Sequence, residues 1–164
     1  MATGSGQPGP PPLRPSGLIL HHDGSWSHEG QPIVNRRLRE AFDQGVRFLP
    51  GEGADGEDVY VVALGHFRGQ IEIEEAGFFV RMFDAQTGSV TLSDRSTERL
   101  EVASLHPSKH GGALLCRVKR DLHSAGLLAR FSHAAQAELF HAVEEDESGV
   151  FLPIGGNREA LPDL

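Results

Sequence analysis

At 164 residues the chain has room for one domain, or for two small subdomains that share a core. Its net charge of -8, with histidine neutral, argues against binding along a nucleic-acid backbone, which calls for a basic face. No segment approaches the roughly 18 apolar residues of a membrane helix, and a single cysteine cannot form an internal disulfide, so a cytoplasmic setting is expected.

Residues 1–16, in MATGSGQPGPPPLRPSG, carry too little apolar surface to offset the entropy of ordering and are expected to form a disordered tail. They lack the basic start and apolar run of a secretory signal. GLILHHDGSW then reads as a strand entering an Asp23-Gly24 turn, with WSHEGQPI leaving it as the second arm of a hairpin. Asn35 is placed to cap a helix over NRRLREAFDQGVRF, in which Leu38, Ala41, Phe42 and Val46 make one apolar stripe. Arg36–Glu40 and Arg39–Asp43 are spaced as ion pairs on its wet face.

After a polar loop, DVYVVALG is rich in β-branched residues, and QIEIEEAG alternates, with Ile71 and Ile73 on one face. FFVRMFDAQTGSVTL reads as two strands around a Gln86-Thr87-Gly88 turn, and RLEVAS as a further strand with Leu100 and Val102 together. The loop from His106 to Gly112 is the expected boundary between two halves. ALLCRVKRD alternates again and places Cys116 with Leu114 and Val118, as a small core residue. Ser132 is placed to cap a last helix, whose Leu139, Phe140 and Val143 form the buried stripe and whose C-terminus meets the acids Glu144 to Glu147. GVFLPIGG is the final strand.

Short alternating runs between turns predict an α+β fold of mainly antiparallel sheets with two helices. The expected organisation is an N-terminal subdomain over 17–105, a linker loop over 106–112, a C-terminal subdomain over 113–157 and a tail over 158–164. GQPI at Gly30–Ile33 and LPIGG at Leu152–Gly156 echo one another, although their order relative to the helices differs.

Several motifs are set aside on physical grounds. Gly51-Glu52-Gly53-Ala54-Asp55-Gly56 spells a dinucleotide fingerprint, but no helix pattern follows it and its acids repel phosphate. His106 and His110 are spaced like helical zinc ligands, yet Pro107 and Gly111-Gly112 oppose a helix there. The dense stretch HHDGSWSHEGQPI, His21 to Ile33, reads first as a structural hairpin with Trp26 as its apolar anchor. The alternative is a metal or acid–base site in which His22, Asp23 and His28 converge across the turn.

Asp23, Gly24, Trp26, Gly30, Pro32 and Ile33, followed by Leu38 and Phe42, resemble the opening of a bacterial family known as domain of unknown function 1285 (DUF1285). The resemblance continues through Ile71, Ile73 and Phe78 to VKRDL at Val118–Leu122 and to GVFLPIGG. It implies two related α+β parts, each a mainly antiparallel sheet with a helix, and a link to signalling without an established activity. The chain departs from the family at Leu64-Gly65-His66-Phe67-Arg68, where a Thr-Pro-x-Glu-Lys run is usual, and at Gly77, where proline is usual. A family site built on that run would be altered here.

The function expected from these readings is a non-catalytic module that binds a protein or a small ligand in bacterial regulation, with neither nucleic acid, membrane nor cofactor. Its expected surface is the hairpin-to-helix corner: Asp23, Trp26, His28, Arg36, Arg37 and Arg39. A metal-assisted enzyme on His22, Asp23 and His28, and a structural subunit that pairs through a sheet edge, are the other two readings.

Overall fold

The computed structural model describes residues 13–164. Most of the expected N-terminal tail lies outside them, and the first strand begins inside its last residues. β1 (Arg14–Leu20) turns at Asp23-Gly24 into β2 (Trp26–His28), which pairs with β3 (Gln31–Pro32). After α1 (Arg36–Gly45) come β4 (Val46–Leu49), β5 (Val59–Leu64) and β6 (Phe67–Ile73). These strands form one sheet in the order β3-β2-β1-β6-β5-β4, antiparallel except where β1 meets β6.

The second sheet takes β7 (Phe78–Asp84), β8 (Ser89–Leu92), β9 (Thr97–Arg99), β10 (His106–Pro107), β11 (Leu114–Val118) and β12 (Leu127–Phe131). Its order is β10-β11-β12-β7-β8-β9, with β12 parallel to β7. Read from β9, this is the topology of the first sheet repeated: two three-strand meanders joined by a central parallel pair. A parallel pair cannot be closed by a tight hairpin and needs a crossover between the meanders. α1 serves in the first sheet, and a short 3-10 turn at Val102–Ser104 stands in its place in the second. α2 (His133–Ala142) then packs on β7 and β12, and β13 (Glu144–Asp146), β14 (Gly149–Ile154) and β15 (Asn157–Ala160) form a small third sheet.

The α+β class with two related sheets in tandem is thus present, but several local expectations change. The change of sheet falls between Ile73 and Phe78, whereas 106–112 belongs to a β10–β11 hairpin inside the second sheet. Val102 lies in the 3-10 turn rather than in a strand. Glu144–Asp146 leave the helix as β13, and the first three residues of the expected C-terminal tail belong to β15. The echo of GQPI and LPIGG is not the repeat, because Pro32 lies in the first sheet and Pro153 in the third.

One apolar core joins the sheets and includes Trp26, Phe42, Phe78, Val90, Cys116 and Leu139. α2 buries Ala135 and Leu139 but leaves Phe140 49% exposed, since the adjacent residue Leu139 takes the inward position. On α1, Asn35 caps as expected by accepting from the Leu38 N–H at 3.0 Å. Leu38 itself stays 41% exposed, outside the buried stripe. Gly45 is buried where a Cβ would stand 2.6 Å from the Ala63 carbonyl oxygen, so the helix approaches β5 more closely than a side chain allows. At Gly77 a Cβ would run into the Tyr60 ring, which accounts for glycine where the resembled family carries proline.

Candidate ligand site at the seam between the two sheets

The β1–β2 turn projects from the first sheet toward the second, and its residues have separate tasks. Asp23 accepts from the Ser25 N–H (2.9 Å) and hydroxyl (2.7 Å), which holds its carboxyl below the usual range. Gly24 has φ 88°, and a Cβ there would lie 3.6 Å from the Phe79 ring across the seam. Trp26 is 1% exposed, packs on Phe42 with ring centroids 5.3 Å apart, and donates Nε1–H to Asp43 Oδ1 at 2.8 Å. It anchors the hairpin to α1 and offers no surface to a partner. His28 is exposed, its ring Nε2 3.0 Å from the Ser16 carbonyl oxygen.

Asp43 is also the residue that departs from the expected helix pairing. Arg36–Glu40 forms at 2.9 Å, but Asp43 turns toward Trp26 and Arg81, whose guanidinium lies 3.0 Å away on β7. Burial pushes the Asp43 carboxyl up, against the hydrogen bond from Trp26 and the charge of Arg81. Arg39 is left without that partner, and its Nε is buried with no hydrogen bond among the described residues.

Arg39 lines a groove of about 600 Å³ between α1 and the β7–β8 region, together with Arg36, Arg81 and Arg95. With its amide oxygen turned toward Arg95, Gln44 accepts from that guanidinium at 2.9 and 3.2 Å. Four guanidiniums against the carboxylates of Glu40 and Asp43 leave the groove with an excess of positive charge, in a chain whose net charge is -8. Arg37 lies outside the groove lining and is exposed. Sequence spacing brought forward Arg36 and Arg39; Arg81 and Arg95 had no local signal, because only the packing of the two sheets brings them there.

A second cluster lies on the same turn. His22 Nδ1 meets Glu74 Oε1, and His21 Nδ1 is 3.1 Å from Glu74 Oε2. The His110 ring, from the β10–β11 loop, stacks on His22 with centroids 4.3 Å apart and planes 17° from parallel. His22 therefore keeps company with Glu74 and His110, and not with Asp23 and His28. Hydrogen bonds from His22 and His21 hold the Glu74 carboxyl down at about 2, below its ordinary 4.5. A carboxylate whose folded pKa is depressed stabilises the fold above its unfolded pKa, and that contribution disappears as pH falls through the folded value. The stability difference between wild type and Glu74→Gln should therefore shrink as pH falls from 4.5 toward about 2. Urea unfolding at stepped pH checks this, and a constant difference across the window would rule it out.

Other residues of interest have structural surroundings. Glu75, next in the chain, pairs with Arg130 at 3.0 Å and accepts from the Ser108 hydroxyl at 2.7 Å. Lys119, within the VKRDL segment, pairs with Asp94 at 2.7 Å and sits 4.8 Å over the Phe78 ring. Cys116 is fully buried, and burial pushes its thiol up to about 12, so it packs as an inert core residue. Gly51–Gly56 closes the β4–β5 connection and leads into β5 without a following helix, so it has no phosphate-binding geometry. His106 lies in β10 with Nδ1 against the Ser104 carbonyl, while His66, His133 and His141 are exposed. Among the described residues no helix is long and apolar enough to cross a membrane.

No family model matches the sequence, and no curated protein matches it. Solved structures do. A DUF1285 family protein from Silicibacter pomeroyi DSS-3 is similar over 92% of this chain and 82% of its own, at 17% identity and a TM-score of 0.59. A second, from Shewanella baltica OS155, aligns over 77% of this chain and 91% of its own, at 11% identity and a TM-score of 0.49. The chain has the fold of the DUF1285 protein from Silicibacter pomeroyi, the family that its Asp23-Gly24-Ser25-Trp26 turn resembles.

Proposed function

We propose that the chain is a non-catalytic module of bacterial regulation that binds a small anionic ligand in the arginine-lined groove between α1 and the second sheet. The observation that carries this reading is the convergence of four guanidiniums, those of Arg36, Arg39, Arg81 and Arg95, on one open groove. Guanidiniums recognise carboxylate and phosphate by paired N–H donors, so either group suits the lining. The groove's charge is local, and the acidic remainder of the chain repels an extended polyanion. That favours a compact ligand over a nucleic acid.

The test is calorimetric titration of the chain with pyrophosphate and, separately, with citrate. One-to-one binding of either is expected, weakened about tenfold or more by Arg39→Gln and by Arg95→Gln, while Arg37→Gln binds as wild type. Neither variant carries an ion pair of the fold, so folding should be retained. If both anions fail to bind, or if the groove variants bind as tightly as wild type, the reading is lost.

A further inference from the structure

We propose that His22, Glu74 and His110 form a binding site for one divalent transition-metal ion of the zinc class. The three side chains come from the β1–β2 turn, the segment after β6 and the β10–β11 loop, yet one ligand atom of each lies within 4.8 Å of the others. Donors around a tetrahedral zinc, bound at about 2.0–2.1 Å, stand roughly 3.3 Å apart. The His22 and His110 rings stack 4.3 Å apart and 17° from parallel, so binding requires them to turn until their in-plane nitrogen lone pairs converge, with a small movement of the β10–β11 loop. Two imidazoles and one carboxylate, with no sulfur, make a ligand set suited to zinc and its neighbours, and three protein donors leave a position open to water.

The surroundings support the same assignment. His21 holds the second oxygen of Glu74 at 3.1 Å, Ser27 holds the other ring nitrogen of His21 at 2.8 Å, and the His22 N–H reaches Glu74 Oε2 at 3.2 Å. A carboxylate fixed from behind in this way is oriented for a metal. His110 uses its backbone N–H on Ser108, but its ring nitrogens have no hydrogen bond among the described residues. Asp23 and His28 have no ligand atom in this group, and Glu75 is paired with Arg130 and Ser108. A bound ion would join the β1–β2 turn and the segment after β6 to the β10–β11 loop of the second sheet, so binding should tighten the seam.

The experiment is titration of zinc into the metal-stripped full chain, by calorimetry and by thermal melting, with magnesium as the hard-cation control. One zinc per chain and a raised melting temperature are expected, with no comparable effect of magnesium. His110→Ala, on an exposed loop, should lose the one-to-one binding and the thermal shift; His21→Ala should bind roughly 10- to 100-fold more weakly. His28→Ala should behave as wild type. Absence of stoichiometric binding, or His110→Ala binding zinc as wild type does, overturns the assignment. The groove arginines take no part, so this outcome is separate from that of the anion titration.

Discussion

Trp26→Ala is expected to destabilise the chain by about 3–5 kcal/mol, the usual cost of emptying a buried aromatic site. The side chain is 1% exposed, and its indole N–H is a partner of Asp43. Truncation therefore opens a cavity against Phe42 and also removes a donor from a mostly buried carboxylate. Asp43 keeps Arg81, which limits the second effect. Trp26→Phe preserves most of the packing but not the hydrogen bond and should cost less, leaving a gap of at least about 1 kcal/mol between the variants. Urea unfolding followed by circular dichroism measures both, because removing the only tryptophan removes the fluorescence probe. A loss under 1 kcal/mol for Trp26→Ala would mean that the hairpin is not anchored through this side chain.

Arg130→Met is the second large effect, expected to cost about 3–5 kcal/mol. Arg130 and Glu75 have side chains only 14% and 9% exposed, and Ser108 bonds to both. Removing the guanidinium leaves Glu75 with an uncompensated charge in the seam, where one hydroxyl cannot replace it. Replacing both partners removes the charge as well, so Arg130→Met with Glu75→Gln should recover much of the loss. A double-mutant cycle by chemical denaturation tests this. If the double variant is as damaged as the sum of the single ones, the two side chains do not act as a pair.

Much of the candidate site could not be read along the chain because its members share no local pattern. His22 was visible in the dense His21–His28 stretch, but Glu74 looked like the wet face of an alternating strand, and His110 like a loop histidine. Arg36 and Arg39 were legible as a basic helix face, whereas Arg81 stood alone in an apolar strand and Arg95 in a turn. The expected Arg39–Asp43 pair failed for a related reason. Spacing proposes a partner four residues away, but the packed hairpin brings Trp26 and Arg81 to the same carboxylate, and their bonds draw Asp43 away from Arg39.

The sequence by itself determined the features that depend on neighbours in the chain: the Asp23-Gly24 turn, the Asn35 and Ser132 caps, the alternating strands and the α+β class. These follow from backbone preferences and from side-chain periodicities of 2 and 3.6, which act within a few residues. Only the tertiary structure decided that the meander repeats across two sheets, and that the arginine groove and the His22–Glu74–His110 cluster exist. Each of those depends on pairings between residues tens of positions apart. Such pairings are fixed by burial of a common core and by the crossover that a parallel pair requires, and neither leaves a mark in a local window.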